Sequence, residues 1–471
     1  MPKKDVKEYF DKIADKRDKW RARSSYYHDD IKSLMRFIVP AEASVLEIGT
    51  ATGDVLAHLK PTRGLGVDIS EGMIGIARKK YPDLRFEVAD AENIKIDEKF
   101  DYILLSDMIS FFDDIQGVFK ELHKVSDHGS RIVITYYNYL WEPVMALAEK
   151  IGLKMPQPVQ NWITKHDVEN LLYLSGFEIV KTGQRLLIPK YIPVLSWLFN
   201  KYLAKMPLIK RLCLVNYCVA RQRAEKYSST IAPESVSVVI PARNEKGNIE
   251  DAVKRVPNMG SHTEIIFVEG NSTDDTLEEM KRVQAAYPDK DIKVFVQEGK
   301  GKGDAVRKGF KNATGDILMI LDADLTVRPE ELPKFYEALN QSAGEFINGS
   351  RLVYQLEDDS MRFLNILGNK FFSSMFSWLL DQEIKDTLCG TKVLRRTEYE
   401  KIIKGRSFFG DFDPFGDFDL LFGAAKLNLK IVDLPIRYQA RVYGETNISR
   451  FRHGWILLKM CFFAMKKIKF I

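Results

Sequence analysis

Two consecutive α/β domains are expected, each built on an open sheet flanked by helices, with amphipathic helices appended. Three observations carry this expectation. At 471 residues the chain is longer than one ordinary hydrophobic core accommodates. Two separate blocks alternate apolar runs of strand length with segments of helical period, the pattern of helix-covered sheets. Between them, residues 222–233 are polar and contain Ser-Ser-Thr. The domains are therefore drawn as 1–225, including a basic apolar extension at 186–220, and 233–471.

Taken in order, a charged helical lead-in at 6–37 precedes strands expected at 44–48, 65–67, 84–88, 102–106, 131–136 and near 178–181. The second block opens with a strand at 235–240 and continues at 264–268, 292–296, 317–321 and 346–348. Three stretches fit neither sheet. Residues 186–220 are apolar but interrupted by Lys190, Lys201, Lys205, Lys210 and Arg211 and broken by Pro189, Pro193 and Pro207. Residues 361–380 read as one amphipathic helix whose polar stripe is Arg362, Asn365, Asn369 and Ser373. Residues 455–471 form an apolar run ending in Lys466, Lys467 and Lys469. Each alone suits a core helix, whereas three basic amphipathic elements together suit the surface of an anionic membrane.

An apolar fraction of 45% and a charged fraction of 29% belong to a globular chain. The formal net charge of +5 gives no argument for nucleic acid. Cys213, Cys218, Cys389 and Cys461 have no metal-ligand spacing and are expected as reduced, buried thiols of a cytoplasmic protein. The lysine-rich start lacks the apolar core of a signal peptide. No stretch reaches the roughly 18 apolar residues that cross a bilayer. The expected location is therefore peripheral, on the inner face of the cell membrane.

In the first block, the strand Val45-Leu46-Glu47-Ile48 runs into the small-residue turn Gly49-Thr50-Ala51-Thr52-Gly53. Small residues let backbone approach a ligand closely and leave N–H groups at the next helix start available. Asp68 ends the following strand, suited to a ribose diol. Asp90 ends the third, suited to an exocyclic amine. The segment Phe100-Asp101-Tyr102-Ile103-Leu104-Leu105-Ser106-Asp107 follows. This block resembles class I S-adenosylmethionine-dependent methyltransferases, over roughly residues 1–185. The resemblance implies a Rossmann-like methyltransferase fold and S-adenosyl-L-methionine as cofactor, held by Glu47, Gly49, Gly53, Asp68 and Asp90, with Ala51 replacing the family's middle glycine. A dinucleotide fingerprint is not satisfied. His58, His123, His128 and His166 are candidates for methyl transfer by chemistry only, and none is assigned.

In the second block, the strand 317–321 ends in Asp322-Ala323-Asp324, which sets hard carboxylate oxygens at the carboxyl edge of a sheet. Its company is Pro241-Ala242-Arg243-Asn244-Glu245 after the first strand and Glu269-Gly270 after the second. The basic turn Gly301-Lys302-Gly303 and Gly349-Ser350-Arg351 complete the set. Order and spacing resemble family 2 glycosyltransferases of the GT-A fold, in the dolichyl-phosphate mannosyltransferase-like branch. What the resemblance implies is a nucleotide-sugar donor held by Pro241, Ala242, Asn244, Glu245, Glu269 and Asp322, with Mg2+ or Mn2+ on Asp322 and Asp324. Arg351 corresponds to the branch's Gly-Ser-Arg arginine and Asp419 to its acceptor-side carboxylate, so both are taken as catalytic. Asp386-Thr387-Leu388-Cys389-Gly390-Thr391-Lys392 matches its Asp-x-x-x-Gly-x-Lys/Arg turn.

Two departures stand out. Glu269-Gly270 replaces the usual pair of aspartates, and Thr446-Asn447 replaces the final Ser-Lys, a charge that Arg450 or Arg452 would supply. Arg441 and Arg450 are assigned to an acceptor phosphate. Inverting transfer to polyprenyl phosphate would need a cationic clamp more than a general base, because that oxygen is already anionic. Two alternatives stay open: modification of a soluble or surface polysaccharide, with Asp419 as base, and a non-catalytic sugar-nucleotide-binding module that recruits partners.

Overall fold

A computed structural model describes residues 3–158, 160–223, 232–351, 363–408, 416–441, 443 and 450–470, without the side chains of 363–367, 417 and 450–453. The chain divides into two compact units after Arg223. Both are α/β, and both sheets are mixed.

In the first unit the strands are β1 (Ser44–Ile48), β2 (Arg63–Asp68), β3 (Arg85–Val88), β4 (Tyr102–Ser106), β5 (Arg131–Tyr137), β6 (Phe177–Arg185) and β7 (Val215–Gln222). They lie in the order β3-β2-β1-β4-β5-β7-β6. Strands β1 to β5 are parallel, and β7 runs antiparallel between β5 and β6. The near-continuous apolar runs of β1, β4 and β5 are what a parallel strand covered on both faces requires. One face packs Leu46, Ile103 and Ile134 among others. The opposite face packs Val45, Leu104 and Val133 with Tyr27, Ile31 and Leu34. Strand order reverses between β1 and β4, and ligands of such sheets bind outside the carboxyl ends at that point.

The charged lead-in is two helices, Lys3–Arg23 and Ser25–Ile38. The first docks through Val6, Phe10 and Ala14 onto Met73 of the helix Glu71–Lys80, with Ala51 alongside. A correction concerns 186–220. Its last part is β7, and Val215, Cys218, Val219 and Ala220 are buried in mid-sheet, so this portion is core and not a membrane-facing surface. The run Val-Asn-Tyr-Cys-Val-Ala has the length and β-branched content of a buried strand, a reading that the preceding prolines and lysines obscured.

The second unit has β8 (Val236–Ala242), β9 (Thr263–Glu269), β10 (Asp291–Val296), β11 (Ile317–Ile320), β12 (Phe346–Ser350), β13 (Lys392–Arg395) and β14 (Ile431–Pro435). Their order is β10-β9-β8-β11-β13-β12-β14, with β13 antiparallel to both neighbours. Its switch point lies between β8 and β11. The sequence reading lacks β13 and β14, both short; β13 follows residues 386–391, which read as a turn, and β14 follows the helix Asp417–Lys426. The helix Phe363–Leu380 is less amphipathic than expected: Phe372, Phe376 and Leu379 enter the core, and Asn369, assigned to a polar stripe, is buried. The helix Arg450–Ala464 likewise packs Leu457, Met460 and Cys461 inward while Trp455 and Phe462 stay exposed. No helix among the described residues is long and apolar enough to cross a membrane.

Candidate functional site

At the carboxyl edge of the second sheet, β8 and β11 deliver their acids to one place. Asp322 and Asp324 follow β11, and Leu321 still bonds back to Val239, so the backbone is fixed until the acids begin. Lys302 opens the helix Lys302–Asn312 and its Nζ lies 2.7 Å from Asp322 Oδ1. Burial pushes the Asp322 carboxyl up, but Lys302, Lys392 and Arg351 more than offset it and hold the group below the usual carboxylate range. Asp324 accepts from Thr326 Oγ1 at 2.8 Å and from Arg441 Nη2 at 2.7 Å. The other nitrogen of Arg441 donates to Glu245 Oε1 at 2.7 Å, and Asn248 donates to Glu245 Oε2 at 2.7 Å. Burial raises the Glu245 carboxyl despite Arg441.

Around this centre, Pro241 and Ala242 end β8, and Asn244 adopts the left-handed region at φ 57°. Asn244 Oδ1 accepts from the Thr273 N–H at 2.8 Å and the Asn244 N–H donates to Ser272 Oγ at 3.0 Å, which ties the two loops together, while Glu269 accepts from the Ser272 N–H within its own loop. Arg351 is already engaged: Nε and Nη2 grip Asp386 at 2.7 and 2.9 Å, and Asn369 donates to the same carboxylate at 2.8 Å. The Tyr438 ring covers the guanidinium at 5.2 Å. Arg351 thus acts on Asp322 only through its charge. Asp419 lies in the first turn of the helix Asp417–Lys426, and its Oδ2 lies 3.7 Å from Arg307 Nη1 and 3.4 Å from Arg406 Nε. These three residues line one cavity with Tyr399, Ile402 and Leu420. Asp411, Asp413, Thr446 and Asn447 lie outside the described residues. So do the side chains of Asp417, Arg450 and Arg452.

In the first unit, the turn after β1 is left-handed at Gly49 (φ 72°), Ala51 (φ 48°) and Gly53 (φ 80°). Buried Glu47 accepts from Thr50 Oγ1 at 2.7 Å and from the Leu56 N–H at 3.2 Å. Burial pushes its carboxyl up to about 7, against those two hydrogen bonds. Asp68 accepts from the N–H groups of Ala51 and Ser70, each at 2.9 Å, so the second strand's acid clamps the first strand's turn. Asp90 is engaged with Lys3 at 2.6 Å. A Cβ at Gly53 would lie 2.6 Å from the Phe86 ring, and one at Gly49 would lie 2.2 Å from Met108. The glycines therefore answer to the chain's own packing as well as to a ligand.

Residues 20–182 match the family Methyltransferase domain, and residues 237–403 match Glycosyl transferase family 2. The chain joins a methyltransferase domain to a family 2 glycosyltransferase domain. Over 219 residues it is 31% identical to dolichol-phosphate mannosyltransferase of Pyrococcus furiosus, 45% of this chain and 59% of that one. It is 34% identical over 215 residues to undecaprenyl-phosphate 4-deoxy-4-formamido-L-arabinose transferase of Edwardsiella ictaluri, 45% of this chain and 62% of that one. The chain thus spans about three fifths of the length of these relatives. Among solved structures, a possible histamine N-methyltransferase from Thermotoga maritima aligns with 46% of this chain and 100% of its own, at 20% identity and a TM-score of 0.37.

The glycosyltransferase domain offers a divalent cation two carboxylates at one strand end; among the described residues no third acid, histidine or cysteine joins them. That donor set suits Mg2+ or Mn2+, which commonly take one or two carboxylates and complete their shell with phosphate and water. The missing Cβ of Gly390 keeps the cradle open, since it would lie 2.0 Å from Asp322 Oδ2. In the methyltransferase domain, Arg17 of the first helix lies within electrostatic reach of Asp68 and Asp107. It gives the crevice a cation that complements a carboxylate-bearing cofactor. Sequence reasoning missed Arg17, because nothing in a charged helix marks which residue faces inward. It also passed over Lys302 as a single residue, though its glycine-flanked basic turn was visible.

Proposed function

We propose that the glycosyltransferase domain moves a sugar, with inversion, from a nucleotide-sugar to the phosphate of a polyprenyl phosphate. The methyltransferase domain is proposed to transfer a methyl group from S-adenosyl-L-methionine. The observation that carries the first part is the convergence of Asp322, Asp324, Glu245, Lys302 and Arg441 at the β8/β11 switch point. Asp322 and Asp324 would hold the cation, whose charge offsets that of the departing nucleoside diphosphate. Lys302 is placed to follow the same phosphates, opening a helix whose N-terminus favours anions. The names of the Pyrococcus and Edwardsiella relatives, both transferases named for polyprenyl phosphates, favour that acceptor class.

A phosphate acceptor also fits Asp419. Two guanidiniums stand within 4 Å of its Oδ2, and a neutral sugar hydroxyl has little use for them. Arg307 and Arg406 suit an anionic acceptor better. A lipid acceptor calls for a membrane surface, and the segment before β7 offers one: Val194, Trp197, Leu208 and Leu212 are exposed beside Lys190, Lys201 and Arg211. The test is transfer from UDP-, GDP- and TDP-sugars with Mn2+, with and without a short polyprenyl phosphate. Transfer that needs the lipid supports the reading; equal turnover onto a soluble glycan alone refutes it.

A further inference from the structure

Beyond the cofactor cradle, the methyltransferase crevice holds a polar cluster on the β4/β5 side. Asp107 directly follows β4 and adopts the left-handed region at φ 57°. Such a conformation is uncommon outside glycine, and aspartate is among the residues that reach it. Its N–H is anchored on the Thr135 carbonyl at 3.0 Å. Its Oδ2 accepts from Tyr27 Oη at 2.5 Å, and its Oδ1 accepts from Thr135 Oγ1 at 2.9 Å. Tyr27 is buried, and its hydroxyl interacts with that of Tyr137, whose ring lies 6.0 Å away. Trp162 stands 6.5 Å beyond Tyr137. Ser106, the last residue of β4, buries a hydroxyl that has no hydrogen-bond partner among the described residues.

This cluster lies beside the turn proposed to hold the cofactor. Met108 packs on Gly49 of the cofactor turn, so Asp107 adjoins that turn across the β1/β4 switch point. The ribose-side acid, Asp68, lies on the other flank, after β2. Resting on the methyltransferase reading, we infer that Asp107, Tyr27, Tyr137, Thr135 and Ser106 form the acceptor site, and that the acceptor presents an alcohol hydroxyl. Tyr137 and Ser106 would bind it between aromatic walls, and Asp107 would take its proton, with Tyr27 positioning that carboxylate. The step balances: the acceptor oxygen bonds the methyl carbon, the methyl–sulfur bond breaks, the sulfonium becomes a neutral thioether, and the proton goes to Asp107. Burial raises the Asp107 carboxyl above its ordinary value despite bonds from Tyr27 and Thr135, as a proton acceptor requires. An ammonium acceptor is disfavoured because Arg17 already acts on Asp107 and Tyr137, and the cofactor's sulfonium adds a second positive charge.

The test uses the full chain loaded with S-adenosylhomocysteine. Binding of methyl α-mannopyranoside, a hydroxyl probe, and of n-butylammonium is followed by saturation-transfer NMR, and cofactor affinity by calorimetry. The glycoside is expected to bind, and Tyr137→Phe and Asp107→Asn to weaken it by about tenfold or more, while S-adenosylhomocysteine affinity is retained. With S-adenosylmethionine, methylation of the same glycoside should fall roughly 10²-fold in Asp107→Asn. Preference for butylammonium, glycoside binding indifferent to both substitutions, or a wild-type chain that binds the glycoside yet leaves it unmethylated would overturn the acceptor assignment alone. Failure of the wild-type chain to bind S-adenosylhomocysteine would overturn the methyltransferase reading with it.

Discussion

Arg441 holds Asp324 by a charge-assisted hydrogen bond of 2.7 Å while its other nitrogen holds Glu245. One guanidinium thereby bridges two acids at the centre proposed to take a cation. The sequence-based assignment gives Arg441 to an acceptor phosphate; without ligand, it is committed to Asp324 and Glu245. A divalent ion must compete with it for Asp324. Arg441→Gln is therefore expected to tighten Mn2+ binding by about tenfold in the absence of donor. Electron paramagnetic resonance titration reads this directly, and weaker binding would show that Arg441 does not compete.

Asp324→Ala should lower sugar transfer by about 10²-fold or more, because charge on the leaving diphosphate is no longer offset. Calorimetric affinity for S-adenosylhomocysteine should be unchanged, since Asp324 belongs to the other unit. Transfer at the wild-type rate in this variant would sink the metal assignment.

Much of this was readable beforehand, and the limits are physical. Parallel strands covered on both faces announce themselves as apolar runs, so β1, β4, β5, β8 and β11 are legible in the sequence, as are the acids that follow β8 and β11. Strand β13 carries Lys392 and Arg395 in four residues, and β7 follows a segment broken by proline. The charges hide β13 as a central strand, and the prolines and lysines ahead of β7 hide an otherwise strand-like run. Partnerships were the other blind spot: Arg351 was visible as a cation, but its carboxylate partner lies 35 residues on.

That pair gives a prediction that separates scaffold from chemistry. Asp386 is fully buried and Arg351 nearly so, and each holds the other charged: burial opposes the charge on both, and their mutual attraction overrides it. Removing one partner leaves the other uncompensated, at a cost of about 3–5 kcal/mol. Asp386→Ala should lower the stability of the glycosyltransferase unit by that order in denaturant unfolding. A change below about 1 kcal/mol would mean the pair is solvated.

Glu47 predicts a pH dependence. Its carboxyl rises from an ordinary 4.5 to about 7 because burial disfavours the charge. Between those values the folded state keeps a proton that the unfolded state has released. Stability is therefore fully present below about 4.5 and is lost as pH rises through about 7. The loss is on the order of 3 kcal/mol. In the cofactor-free protein, Glu47→Gln should flatten this slope across that window. A slope equal to the wild type's would show that Glu47 is ionised throughout.

The last prediction concerns the exposed apolar segment before β7. Leu208 is 77% and Val194 75% exposed, with Trp197 at 53%. Leaving such side chains in water forgoes roughly 1.5–3 kcal/mol each, which a bilayer interface recovers. Lysines and an arginine beside them add about 1 kcal/mol apiece on anionic lipid, weakened by salt. The C-terminal lysines serve this purpose less well than their spacing suggests, because Lys469 is buried against Asp381 and Lys467 lies over Phe408. Trp197→Ala combined with Leu208→Glu should therefore reduce co-sedimentation with phosphatidylglycerol vesicles by about tenfold or more, and high salt should partly release the wild-type protein. Sedimentation that the double substitution leaves unchanged would move the contact elsewhere on the chain. Protein that stays in the supernatant at low salt would turn the acceptor from a lipid toward a soluble glycan.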